Sequence, residues 1–289
     1  MRLVAAELLK LQRRLATYVV LAVLLVIMAL VYLAVALTPT GGVVDPVADV
    51  LRFPNAFSTI GQFVFGLGSV LAVAYAAAVA GADWSWGVVR NVVSRGESRI
   101  LYILAKAAGL AIVFAIGVLI AFALGMLLVY LAAAVRGVSV GNPLSADSLD
   151  RLFDSLLFGY PVLLQRAAIG FAVAVVLKSQ LAGVIVGIVL YIGEGILGAI
   201  MLAIALAGRF SGGSFDLEPI GPEWYQYLPF GIGDNVLLGI NPTGSLEGGL
   251  EGLLLRPVPF EQAIVGVLLY LLAALVLSSI ALHRQEISA

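Results

Sequence analysis

Gly81-Ala82-Asp83-Trp84-Ser85-Trp86-Gly87-Val88-Val89-Arg90-Asn91-Val92-Val93-Ser94-Arg95-Gly96-Glu97-Ser98-Arg99 is a densely charged and aromatic stretch set between two long apolar runs. Val88, Val89, Val92 and Val93 fall at i, i+1, i+4 and i+5, on one side of a short helix, with Arg90, Asn91, Ser94 and Arg95 on the other. Gly96 ends that helix, and Glu97 and Ser98 open the next. Arg99 and Lys106 lie at the start of that next helix, where their long stems reach a water interface. A short amphipathic helix hung between two apolar runs is a handle by which something outside a membrane can move them.

The composition makes the runs membrane spans. Of 289 residues, 62% are hydrophobic and only 11% charged, with a mean hydropathy of +1.11. Soluble domains carry about 25% charged residues. The expected class is therefore an all-α integral membrane protein, a single domain over 1–289. There is no cysteine, which excludes disulfides and thiolate metal sites.

Outward from the quoted stretch, the pattern divides the chain. Residues 1–16 place Val4, Leu8, Leu11 and Leu15 on one face of an interfacial amphipathic helix. Spans are expected at about 17–37, 60–80, 100–135, 161–177, 181–207 and 260–282, each near or above the roughly 20 residues a crossing needs. The first is read as a span, not a cleaved leader despite Ala34-Val35-Ala36, because its uncharged run exceeds the usual apolar region of about 7 to 15 residues. The third is long enough to tilt or to project from the membrane. External loops are expected at 38–56 and 136–160, the second turning helical from Leu149, and the longest polar insertion at 208–259. That insertion holds an aromatic cluster from Trp224 to Phe230, read as an interfacial anchor, and a short helix over 232–240 dipping into the outer leaflet.

Charge placement orients the chain. Ten of the 16 basic residues fall on the side of the termini (Arg2, Lys10, Arg13, Arg14, Arg90, Arg95, Arg99, Lys106, Lys178, Arg284), five on the other, and Arg166 inside a span. The positive-inside rule then makes both termini cytosolic, in a multi-pass protein of the cell membrane.

The order of basic interfacial helix, span, loop and span, followed by Asp83, Gly87-Val88-Val89-Arg90, Ser94-Arg95-Gly96, Ser98-Arg99 and Lys106, resembles the permease subunits of ABC transporters of the type-2 export class. The likeness covers nearly the whole chain, including Tyr227-Leu228-Pro229-Phe230 before the last span. Asp83 stands where that family more often has Glu. The resemblance implies a permease, an exporter, in which two such chains, identical or paralogous, pair around a pathway. Two cytosolic ATPase subunits would sit beneath, binding the ATP and Mg. It makes Asp83, Trp84, Gly87, Val88, Val89, Arg90, Val92, Ser94, Arg95 and Arg99 the residues that couple to the ATPase. Residues 1–16 become the family's elbow helix.

Independently, the chain has no Gly-x-x-x-x-Gly-Lys-Ser/Thr loop and no His-Glu-x-x-His, so no cofactor or metal site is expected and ATP hydrolysis falls to a partner. Its one histidine, His283, is read as an interfacial side chain. Besides the ATPase and a second permease chain, membrane lipid is an expected partner and nucleic acid is not. Two other classes stay open: a non-transporting anchor for a soluble partner, and an intramembrane enzyme, for which no catalytic constellation is visible.

Two further features call for partners. Gly183, Gly187 and Gly195 lie on a small-residue ridge of the fifth span, suited either to packing within the chain or to a dimer seam. Arg166 lies twelve residues before Lys178, ~18 Å along a helix, and Glu194 fourteen after Gln180, ~21 Å along the next. The two reach nearly one depth on adjacent antiparallel spans. An ionic pair between them is expected, with Gln165 as a neighbour, because a lone charge at mid-bilayer costs about 2.5–3.5 kcal/mol or more.

Overall fold

The computed structural model describes residues 2–38, 45–88, 98–210, 221–240 and 256–284, all helical or irregular with no strand among them. An amphipathic helix α1 (Arg2–Arg13) leads through extended Arg14 into α2 (Leu15–Leu37). A single turn, α3 (Pro46–Asp49), precedes a long helical rod made of α4 (Asn55–Gly61), a π stretch over Gln62–Leu67 and α5 (Gly68–Ser85). Then come α6 (Arg99–Arg136), α7 (Ala146–Leu177), α8 (Gln180–Phe210), α9 (Pro229–Ile240) and α10 (Phe260–His283), with a 3-10 turn at Trp224–Tyr227. Six of these rods are long and apolar enough to cross a membrane: α2, α4 to α5, α6, α7, α8 and α10, called spans one to six below. The end carrying α1 is the basal end, the other the far end.

Local chemistry fixes the ends. Ser98 accepts from the Leu101 amide at the start of span three, and Gly137 closes that span in the left-handed conformation at φ 67°. Span four begins at Ala146, not 161, with Ser145 capping the Ser148 amide. Its acidic residues Asp147, Asp150 and Asp154 misled the reading by hydropathy. The helix continues beneath them because Ser148, Ser155 and Gly159 form a buried stripe at helical spacing.

Spans two and four make the buried centre: 61% of each crossing segment is inside the bundle, against 6% for span five. Lipid tails are as apolar as leucine, so close approach and dispersion, more than the hydrophobic effect, hold spans together. Gly68, Ala72, Ala76 and Ala80, small residues at intervals of four along span two, are all buried. A Cβ on Gly170 of span four would overlap the Val73 carbonyl of span two, and one on Gly81 would overlap Gln180 at the head of span five. Gly170→Ala therefore forces two backbones apart. We expect it to cost about 1–3 kcal/mol, the usual range for overpacking, read as a lower melting temperature of the purified chain with insertion intact.

The glycine ridge of span five divides. A Cβ on Gly183 would overlap Ala174, and one on Gly187 would sit 3.0 Å from Val73 Cγ1, so both serve packing inside the chain. Gly195 faces open space. At the far end, Arg136 donates to the Val35 and Thr38 carbonyls at 2.7 and 2.9 Å and pairs with Asp45 at 2.5 Å. Desolvation works against the Asp45 charge, but the Arg136 guanidinium and the Val47 and Ala48 amides outweigh it and hold the carboxyl below its ordinary range. That tie is present at neutral pH and is lost as pH falls through the lowered pKa.

Candidate functional site

Two polar clusters are built into this apolar frame, one at the basal end and one deep in the bundle. The basal cluster is centred on Asp83, in the last turn of span two. Tyr102 and Lys106 lie one turn apart on span three, and both donate to the same Asp83 oxygen. The other Asp83 oxygen lies 3.6 Å from Arg14. Lys106 also faces Glu7 of α1 at 3.7 Å, and Glu7 accepts from Lys10 at 2.6 Å. One helical turn beyond Lys106, Gly109 supplies the space: its missing side chain lets Glu7 Cβ approach to 3.3 Å of where a Cβ would stand.

The charges are out of water. Asp83 is 1% exposed, Lys106 2% and Glu7 6%. Lys106 therefore does not reach a water interface, as its place near the start of span three suggested. It turns inward because two carboxylates from two other elements meet it there. Burying an ion costs several kcal/mol unless partners surround it, and this arrangement supplies them. The result is a junction that locks α1, the end of span two and the start of span three into one unit.

That junction flanks the segment on which the sequence reading turned. Trp84 is half-buried, and Gly87 takes φ 67°, a left-handed turn in which the missing Cβ matters. Val88 is half-buried. Val89, Arg90, Val92, Ser94 and Arg95 lie outside the described residues. Trp86 is 66% exposed beneath the Arg14 guanidinium at 5.1 Å. Arg99, on the other flank, donates to the Leu282 and His283 carbonyls at 3.1 and 2.9 Å, closing the basal end of span six. Of the expected coupling residues, Asp83 and Arg99 thus hold the frame from within.

The deep cluster is centred on Arg166, which is fully buried. Its ion pair is with Asp234 of α9, not with Glu194 as the depth argument suggested. Arg166 also donates to the Phe230 carbonyl at 3.2 Å, to the Phe65 carbonyl at 3.1 Å and to the Tyr191 hydroxyl at 3.5 Å. The Phe65 carbonyl belongs to the π stretch of span two, where wider turns re-aim the backbone. Glu194 accepts from the Phe230 and Gly231 amides at 2.7 and 2.6 Å, at the positive end of the α9 dipole. Gln165 donates to the Pro229 carbonyl at 2.7 Å.

Arg166 and Glu194 both bond to Phe230, one through its carbonyl and the other through its amide. They meet through a third element. The first turn of α9 sits between them, its amides on Glu194 and its carbonyl on Arg166. At its other end, Arg151 of span four donates to the Ile240 carbonyl at 2.5 Å. Asn235 ties the return of the chain, accepting from the Val258 amide at 2.9 Å and donating to the Gly231 carbonyl at 2.8 Å. The roles of Asp234, Arg151 and Asn235 escaped the sequence reading; the available signal was the polar Asp234-Asn235 pair inside the otherwise apolar run 228–240.

No family model and no curated protein matches this chain. The two clusters therefore carry the functional reading by their own geometry. One is a buried ionic junction at the basal end, and the other a hydrogen-bonded seat for a helix inserted from the far end.

Proposed function

We propose that this chain is the transmembrane permease subunit of an ABC transporter of the type-2 export class, working as a pair of permease chains above two cytosolic ATPase subunits. The observation that carries this reading is the junction of Asp83, Lys106, Glu7, Tyr102 and Arg14. A segment that receives force from a motor must be rigidly mounted, or the motion dissipates in side-chain rearrangement. Here both flanks of 89–97 and the helix α1 are tied into one buried network, so a push on that segment is felt by spans two and three together. The resemblance of the quoted stretch to the family's coupling region supports the same assignment. The α9 helix, seated in the bundle by polar bonds, suits a gate on the far side of the pathway.

Co-expression with an ATPase encoded beside this chain tests the reading. We expect a stable complex of two permease and two ATPase chains by native mass spectrometry. Val89→Asp with Val92→Asp is expected to leave the spans inserted but to uncouple ATP hydrolysis from transport, because two charges enter an apolar contact. A double variant that hydrolyses and transports like the parent refutes coupling through this segment. A complex that never recruits an ATPase refutes the permease assignment itself.

A further inference from the structure

Between spans one, two and three lies a cavity of about 560 Å³, within the range of ligand pockets, which run about 300–1,000 Å³. It runs from Tyr75 to Val64 along span two, eleven residues or ~16 Å. That is about half of a ~30 Å hydrocarbon core, the depth of one leaflet. Its floor is Leu163 of span four, and its lip is open, with Ile112, Ile116 and Ile120 exposed along span three. Polar groups gather at the basal mouth alone. There the Thr17 hydroxyl donates to the Leu11 carbonyl at 2.6 Å and so accepts from Tyr75 at 2.5 Å. The two hydroxyls satisfy each other, leaving Gln12 of α1 and Tyr18 of span one as polar side chains on the wall with no such tie among the described residues.

An apolar cavity of this shape does not hold water, and its walls lose dispersion contacts when nothing fills it. In a bilayer the available filler is a lipid tail. The basic residues of α1, close to Gln12 along the chain, select the headgroup. Lys10 is engaged by Glu7 at 2.6 Å and Arg14 by Asp83 at 3.6 Å, whereas Arg13, next to Gln12, is exposed and within ion-pair distance of no carboxylate among the described residues.

We propose that this groove binds one acyl chain of an anionic glycerophospholipid, its tail between spans one, two and three and its phosphate at Arg13 and Gln12. The site is independent of the permease assignment, since it needs only the bilayer. Because Leu8 and Gln12 of α1 form part of its wall, a bound tail also props α1 against the basal junction.

The experiment is native mass spectrometry of the purified chain after exchange into detergent containing phosphatidylglycerol or phosphatidylcholine. The parent should retain one phosphatidylglycerol, favoured about fivefold over phosphatidylcholine, the worth of one basic residue at an anionic surface. Gly117→Phe fills the cavity from span three, where a new Cβ meets only Leu21 at 3.8 Å, and should abolish retention of either lipid. Ile116→Trp on the exposed lip, which does not disturb the interior, should do the same and decides the matter if the first variant misfolds. Arg13→Gln should keep the tail bound and erase the preference for the anionic head. Equal retention by parent and filled variants, or no headgroup preference in the parent, overturns the proposal.

Discussion

Lys106→Met is expected to destabilise the purified chain by about 3–5 kcal/mol, the usual cost of stripping one partner from a buried ion pair. The loss arises from what stays behind. Asp83 would keep Tyr102 as a donor, but its nearest cation would be Arg14 at 3.6 Å, and Glu7 would keep only the half-exposed Lys10. Asp83→Leu combined with Lys106→Met removes both charges together and should recover a large part of the deficit, since replacing a buried pair by apolar groups is often nearly neutral. Melting temperatures of the two single variants and the double decide it. If either single variant melts with the parent, the junction is solvated and does not mount the segment 89–97. Should the double variant recover stability yet lose coupling to an ATPase, the pair is needed for transmission as well as for folding.

The second large effect is expected at Arg166. Arg166→Leu removes donors from the Phe65 and Phe230 carbonyls and from Asp234 in one step. Each buried hydrogen bond to a charged group contributes about 1.5–3 kcal/mol, and groups left unpaired add desolvation costs. Hydrogen exchange over 229–240 should rise sharply in this variant while spans two and four stay protected. A double-mutant cycle should show stronger coupling of Arg166 to Asp234 than to Glu194, within the roughly 0.5–3 kcal/mol of contacting residues. The half-exposed Asp234 carboxylate keeps that coupling toward the lower end. Glu194→Gln preserves an acceptor for the Phe230 and Gly231 amides and should be mild, whereas Glu194→Leu orphans both. Unchanged exchange over 229–240 in Arg166→Leu would mean that α9 is held by its apolar face alone.

What could be read from the sequence follows from what hydropathy measures. Long uncharged runs identified the six helices that are long and apolar enough to cross a membrane, because a lipid-exposed backbone must be helical and apolar over a fixed length. The same measure failed at 146–160, where the helix runs on under a polar coat. Hydropathy reports the surroundings of side chains, and backbone conformation does not stop where those surroundings change. Arg166 and Glu194 both bond to Phe230, a proximity that residue counts from the short turn at Lys178 make legible. Their partners were not legible in that way. Counting along two helices says nothing of a third entering from a distant loop, and Asp234 comes 68 residues after Arg166. Lys106 misled for a related reason: its distance from the start of span three allowed a reach to water, while Asp83 and Glu7 came from elements whose packing no single-chain periodicity encodes.

Span three, with 38 residues, is ~57 Å long, nearly twice the ~30 Å hydrocarbon thickness. Its basal end is gripped through Tyr102 and Lys106, and Arg136 at its far end clasps the end of span one. A continuous helix gripped at its basal end acts as a lever arm on the element its far end holds. Rocking it by ~5° about the basal junction sweeps the Arg136 tip through ~5 Å, about one helical pitch. An angular displacement smaller than the scatter between packed helices at one surface thus becomes, at the opposite surface, a shift long enough to re-register one helix against the next.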